Sequence, residues 1–197
     1  IPGELASIPW SKIVVSTLDI SVTAEAIESV PESVQRVIAF SSTSAVTKAD
    51  AKEAADREVS SRLTNGEDRL FRTHREVTVL RPTIVYGGPG DRNLERIAWQ
   101  LRRFPAFPLI GGGVGLRQPV HAHDLARAVA RVIEVPETVD KTYDVAGAEI
   151  LPFKELVSRV GKANGRNARF ISIPLPAAKL ALKSLAWLPQ FRGVPLG

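Results

Sequence analysis

The stretch that decides the fold is Arg36 to Ser44, RVIAFSSTS. Val37-Ile38-Ala39-Phe40 is an unbroken apolar run of strand length, and four hydroxyl side chains, Ser41, Ser42, Thr43 and Ser44, close it. A continuous rather than alternating apolar run marks a strand covered on both faces, as in a parallel sheet. In sheets of that kind ligands bind outside the carboxyl ends of the strands. The hydroxyl cluster is therefore either the edge of a working site or a polar turn whose hydroxyls bond local backbone.

Working outward, two further runs share this character. Lys12 to Thr17 (KIVVST) ends on Ser16-Thr17, and Val77 to Leu80 (VTVL) runs into Arg81-Pro82-Thr83. Gln118 to His121 (QPVH) holds Pro119 and suits a sheet edge, and Tyr143 to Val145 is a candidate fifth strand. Helical patterns fill the gaps. Ala24 to Val30 makes a turn or two. Lys48 to Arg75 is charged and alanine-rich, with Asn65-Gly66 expected to break it. Leu94 to Phe104 follows, then Asp124 to Val135 with Asp124 as the expected N-cap, Pro152 to Asn164, and Ala177 to Trp187. Strands alternating with helices define an α/β chain, a doubly wound parallel sheet of Rossmann type. Three strand ends rich in small and hydroxyl residues (Ser16-Thr17, Ser41 to Ser44, Pro82-Thr83) can line one crevice.

Composition narrows the function classes. The chain has 197 residues, enough to bury a core, and no cysteine, which excludes a disulfide framework and a thiolate zinc site. Its net charge is +5, with Lys and Arg scattered over helices rather than run together. Solvated helix faces account for that, and attraction to an anionic partner such as a dinucleotide is the sharper alternative. No nucleic-acid motif occurs, so no nucleic-acid partner is expected. No apolar run reaches the length of a membrane span. A reducing compartment is consistent with these features, and the cytoplasm is the expected location.

Four motifs in order resemble one family. RVIAFSSTS is followed by a helix, then VTVLRPTIVYGGPGDRN (Val77–Asn93), GLRQPVHAHDLARAV (Gly115–Val129) and TYDVAGAEILPFKELV (Thr142–Val157). This order is similar to the extended short-chain dehydrogenase/reductase family, the NAD(P)-dependent epimerases and dehydratases, over about Lys12 to Ser172. The resemblance implies a Rossmann domain, here residues 1–110 and incomplete at its amino terminus. Residues 111–197 would form a small carboxyl-terminal α/β substrate region, with a late strand returning to the core. It implies NAD or NADP over the strand ends, with Ser16, Thr17, Ser41, Ser42, Arg81, Pro82 and Thr83 toward the cofactor. Thr43 would orient a substrate hydroxyl or carbonyl. Ser44, Asn93, Arg117 and His121 would face a small-molecule substrate of carbonyl or sugar-nucleotide type. A homodimer is among the expectations.

Two departures from the family pattern matter. A dinucleotide site needs a glycine-rich turn between a first strand and a helix, so that backbone can approach the pyrophosphate. The clusters Gly87 to Gly90 and Gly111 to Gly115 read as loops instead. The first strand resembles the family's fourth, so the part carrying that turn is expected to precede Ile1. The family's Tyr-x-x-x-Lys is also missing. Its logic is a phenol acid/base whose pKa is lowered by an ammonium one helical turn away. With Glu67 and Leu70 matching the family's downstream residues, Val59 and Leu63 stand where Tyr and Lys should. The two tyrosines, Tyr86 and Tyr143, lie on other elements, and Tyr86 is kept as a candidate phenol. The chain thus resembles an atypical branch, expected to be an oxidoreductase working by nicotinamide hydride transfer. The alternative is a silent dinucleotide-binding protein used for sensing or assembly.

Other candidates divide the same way. No G-x-S-x-G elbow supports Ser41 or Ser42 as a nucleophile. His121 and His123 could share a strand face as metal ligands, but no second ligand cluster supports them and no metal is expected. Lys48 and Lys52 either substitute for the missing ammonium or are solvated at a helix start. Ala177 to Leu188 reads as a helix packing on its own domain, or one lying on a membrane surface or a partner.

Overall fold

The computed structural model describes residues 11–88 and 90–178. In chain order the strands are β1 (Ile13–Ser16), β2 (Arg36–Phe40), β3 (Glu76–Pro82), β4 (Val85–Tyr86), β5 (Phe107–Ile110), β6 (Leu116–Arg117), β7 (Val120–His121), β8 (Lys141–Val145), β9 (Leu151–Pro152) and β10 (Phe170–Ile173). The helices are α1 (Ile20–Ala26), α2 (Ser44–Thr47), α3 (Ala54–Phe71), α4 (Leu94–Arg103), α5 (Ala122–Glu134) and α6 (Phe153–Ala163). The chain forms two compact units. Among the described residues one takes 11–83 together with Val120–Ala146. The other takes Ile84–Pro119 and 147–178. The division is thus not the single cut expected near residue 110. The chain leaves the first unit after β3 and re-enters it at Val120.

The first unit holds a four-stranded parallel sheet in the order β1-β2-β3-β8. Its central strands β2 and β3 are buried on both faces, which is why they read as apolar runs, whereas the edge strands β1 and β8 are half-buried to exposed. Val37, Ala39, Val77 and Val79 pack with Ile20 and Ala24 of α1 and Leu63 and Leu70 of α3. On the opposite face Ile38 and Leu80 meet Val132 of α5, with Val129 and Val145 against them. This is the expected α/β doubly wound parallel arrangement, and β8 is the late strand that returns beside β3.

Two helix boundaries differ from the sequence reading. The Asn65-Gly66 pair does not interrupt α3, which runs unbroken over Ala54–Phe71. A Cβ on Gly66 would sit 3.0 Å from Ile20 Cγ2 and 3.1 Å from Ser21 N. Glycine stands there because α1 crosses α3 backbone to side chain, and packing outweighs its low helix propensity. The cap of α5 is His121, not Asp124. His121 has extended φ/ψ as the chain leaves β7, and its Nδ1 accepts from His123 N at 3.1 Å. Asp124 lies exposed in the first turn, 4.0 Å from Arg127.

The second unit is built on α4 and α6. Ile97, Ala98 and Leu101 of α4 face Val157 and Val160 of α6, with Phe107 and Leu109 of β5 completing the core. The strand β5 pairs in parallel with β10, and β6 pairs antiparallel with β9. None of β5, β9 and β10 is legible as a strand in the sequence, because each is short and not continuously apolar. The Ala177–Trp187 reading lies, beyond its first two residues, outside the described residues. Among the described residues no helix is long and apolar enough to cross a membrane.

Candidate functional site

The strand-end cluster is held by backbone before any side chain acts. The β2–β3 ladder continues past Phe40: Ser41 N donates to Leu80 O at 2.8 Å and Thr43 N to Pro82 O at 3.2 Å. This lays Ser41 to Thr43 along the carboxyl end of β3. Ser42 Oγ accepts from Ser44 N at 3.2 Å, a hydroxyl turn that starts α2. Thr43 precedes that helix, and its hydroxyl makes a long bond of 3.5 Å to Pro82 O. Across the sheet Ser16, in register with Ala39, shares a 2.8 Å hydrogen bond with Thr23. Thr17 is exposed. Thr83 N donates to Val145 O at 3.1 Å, which joins the end of β3 to β8.

Beneath the cluster lies a charged anchor. Glu67 of α3 is 3 % exposed. Its Oε1 accepts from Ser41 Oγ at 2.5 Å and from Arg81 Nε at 2.9 Å, and its Oε2 accepts from Arg81 Nη2. The guanidinium thus grips both carboxylate oxygens, the geometry in which Arg is strongest. Hydrogen bonding to Glu67 raises the Arg81 pKa above its ordinary value. Burial works against this, and the charges of Glu67 and Asp144 add to it. Asp144 stands beside Arg81 in register across β3 and β8. Ser41 and Arg81 therefore direct polar atoms into the fold rather than only toward a ligand. Glu67 enters the sequence reading only as an alignment marker. The signal that could have found it is its spacing: Leu63, Glu67 and Leu70 form one buried helical stripe, and a carboxylate there needs partners.

The positions expected for the dyad face the core. Leu63 is 5 % exposed, and Val59 is half-buried against the same cluster. Between them Ser60 Oγ donates to Ala45 O at 2.6 Å, which fastens α3 to α2. Lys48 does not stand in as a free ammonium, since it pairs with Asp56 at 2.6 Å. Lys52 is exposed.

The remaining predicted residues divide between the units. His121 belongs to the first unit, and Tyr86, Asn93 and Arg117 to the second. Asn93 Nδ2 donates to Val85 O at 3.3 Å. The Arg117 guanidinium lies 5.6 Å from the Phe153 ring centroid. Tyr86 borders a hollow of about 470 Å³ with Asp91, Leu94, Ala98, Leu156 and Val160. Among the described residues no group of three or more His, Cys, Asp or Glu could hold a metal ion.

This architecture has known counterparts. An epimerase from Methanothermobacter thermautotrophicus superposes with a TM-score of 0.67 at 15% identity, covering 83% of this chain and 60% of that one. UDP-glucuronic acid 4-epimerase from Bacillus cereus, in complex with UDP-glucuronic acid and NAD, gives 0.61 at 17% identity over 79% of this chain and 53% of that one. A short-chain dehydrogenase/reductase superfamily protein from Agrobacterium tumefaciens with bound NAD gives 0.63 at 12% identity over 86% and 70%. The chain has the Rossmann-like fold of the extended short-chain dehydrogenase/reductases of epimerase type, as the order of its motifs implies.

In sequence it is similar to NADH dehydrogenase [ubiquinone] 1 alpha subcomplex subunit 9, mitochondrial. Identity to the Arabidopsis thaliana protein is 30% over 114 residues, 57% of this chain and 28% of that protein. To the Rattus norvegicus protein it is 29% over 144 residues, 73% of this chain and 36% of that protein. The chain spans about a third of the length of the curated relatives it matches. No family model matches it.

Proposed function

We propose that the protein to which this chain belongs holds NAD or NADP at the carboxyl ends of β1, β2 and β3. We propose further that it uses the dinucleotide as a fixed part of a larger assembly rather than as a turnover cofactor. The observation that carries this reading is the core position of Val59 and Leu63. With neither phenol nor ammonium on that stripe, α3 offers no proton relay to a substrate carbonyl. The solved neighbours that hold NAD support the cofactor. The names of the curated relatives, subunits of an NADH dehydrogenase, support the assembly role. A nicotinamide dinucleotide, where it turns over, supplies hydride transfer.

The residues present suit the nicotinamide half of such a ligand. Ser41 to Thr43 and Pro82-Thr83 are small and fastened by backbone bonds, leaving a firm edge without bulky side chains. The Glu67–Arg81–Ser41 anchor would hold that edge in register. Among the described residues the glycine-rich turn from a strand to a helix, with Gly87, Gly88 and Gly90 between β4 and α4, follows a two-residue strand outside the four-stranded sheet, so the pyrophosphate contacts are not assigned to it.

One observation favours a second reading, the atypical oxidoreductase acting on a carbonyl or sugar-nucleotide substrate. Thr43 is only half-buried, and its hydroxyl is engaged by one long bond, so it can turn to a ligand. A cytoplasmic location rests on composition alone, and the curated relatives are mitochondrial by name.

The two readings separate in one experiment. The full-length protein is titrated with NADH and NADPH by fluorescence, then assayed for absorbance change at the reduced-nicotinamide band with carbonyl and sugar-nucleotide substrates. Binding without turnover, unchanged in Thr43→Ala, is expected. Turnover that disappears in Thr43→Ala would establish the oxidoreductase instead. Failure to bind either dinucleotide would remove both readings.

A further inference from the structure

The two units carry opposite charge balances. Residues 11–83 and 120–146 hold 13 Lys and Arg against 16 Asp and Glu. Residues 84–119 and 147–178 hold 10 against 4. The positive excess of the second unit collects around an exposed aromatic pair on α4. The apolar stripe of that helix, Ile97, Ala98 and Leu101, is buried. Its outward stripe is Arg96, Trp99 and Arg103, spaced i, i+3 and i+7. Trp99 is 54 % exposed and Phe104, just past the helix, 49 %. Their rings meet edge to face at 6.0 Å, and the Arg103 guanidinium lies 5.7 Å from the Phe104 centroid.

Two hollows flank this pair. One, of about 470 Å³, is lined by Asp91, Arg92, Glu95, Arg96, Trp99 and Gln100. Its acids are partly spent, since Asp91 accepts from the backbone N–H groups of Gly87, Asn93 and Leu94. The other, of about 400 Å³, has Leu101, Phe104 and Pro105 with Arg166, Asn167 and Arg169, and no carboxylate. Among the described residues no ion pair engages Arg92, Arg96, Arg103 or Arg169. Unpaired guanidinium groups ringing half-exposed Trp and Phe match a layer that is anionic at its surface and apolar beneath. Arginines reach phosphate, and aromatic rings settle at headgroup level.

We propose that this α4 face of the second unit is a peripheral binding surface for anionic phospholipid. The inference is independent of the dinucleotide reading. It requires no spanning helix, because the contact is with headgroups and the outermost acyl carbons. Each arginine near such a surface adds to the attraction, which falls off within a Debye length. The attraction is therefore strong at low ionic strength and weak at high.

The test is co-sedimentation of the whole chain with vesicles of phosphatidylcholine alone, or of phosphatidylcholine and phosphatidylglycerol in equal parts. Binding is expected to the anionic vesicles only, and to weaken with salt. Arg96→Glu with Arg103→Glu should lower affinity by about tenfold or more. Trp99→Ser with Phe104→Ser should do the same without changing charge. A control, Lys12→Glu with Lys162→Glu, carries the same charge change on exposed residues that line neither hollow and should bind nearly as well as the parent. The carboxyl-terminal residues are identical in all variants, and unfolding curves check that each is folded. Equal loss in the control, or no loss in the aromatic variant, would overturn the proposal in favour of diffuse charge. If the α4 variants lose binding to polyglutamate but not to vesicles, the surface serves an acidic protein and the proposal fails.

Discussion

At the scale of single residues, Glu67 decides more than its neighbours. It is a buried carboxylate shared by Arg81 and Ser41, and both partners sit at the strand ends. Glu67→Gln keeps the shape but leaves a half-buried guanidinium without its counter-charge. Removing one partner of a buried pair costs about 3–5 kcal/mol, so the denaturant midpoint should fall accordingly. Ser41→Ala removes one hydrogen bond to a charged group and should cost about 1.5–3 kcal/mol. A second residue gives a pH signature. Burial alone would raise the Asp19 carboxyl. The hydrogen bond from Arg62 and the Ser21 N–H at the α1 N-cap outweigh it, with the Arg62 charge adding, and hold it below its ordinary 3.8. Because the folded value is depressed, the stabilisation is present above the unfolded value and is lost as pH falls through the folded one. The stability difference between the parent and Asp19→Asn should therefore be steady near neutral pH and shrink below about pH 4. Urea midpoints across that range would show it.

At the scale of elements, α3 carries the functional argument, because one of its stripes combines packing, the anchor and the missing dyad. Leu63→Lys would restore the family's ammonium at a position that is 5 % exposed. The carboxylate one turn along the stripe, Glu67, is already held by Arg81 and Ser41, so the new ammonium lacks a free partner and the change should destabilise by several kcal/mol. A thermal scan in which this variant unfolds like the parent would show that the stripe opens to solvent. Gly66 makes the same helix sensitive to size. Gly66→Val presses branched atoms onto Ile20 and the α1 backbone, and overpacking of this kind costs about 1–3 kcal/mol.

At the scale of the whole molecule, the first unit is interrupted by Ile84–Pro119 of the second and completed by β8 and α5. Its sheet is closed by a strand that lies 59 residues beyond the end of β3. Contacts of such sequence separation carry a loop-closure cost. A ligand that bridges the ends of β1, β2 and β3 should therefore protect the first unit selectively. Saturating dinucleotide, at about a hundred times its dissociation constant, should add about 2.7 kcal/mol to the stability of the full-length protein. Hydrogen exchange should slow at Ser41 to Thr43 and at Thr83 more than in α4 or α6. Uniform slowing across both units would argue against a site at the strand ends.

The unbroken apolar run Val37 to Phe40, with the β-branched runs within Lys12 to Thr17 and Val77 to Leu80, by itself predicts a parallel sheet covered on both faces. Motif order carried the family fold, and the identities of Val59 and Leu63 already removed the dyad. Those are local facts, written in composition and period. What the sequence could not carry depends on distance. The Asn65-Gly66 pair looks like a break until α1 is seen to cross it, and Asp124 looks like a cap until His121 takes the place at the end of β7. Glu67, Arg81 and Ser41 are 14 and 26 residues apart, and only the folded chain brings their charges and hydroxyl together. Likewise α4 reads as an ordinary amphipathic helix, and only tertiary packing decides that its apolar stripe is spent inside while Trp99 stays out among arginines. Periodicity determines which residues prefer burial, whereas the packing of distant segments determines which polar groups find partners.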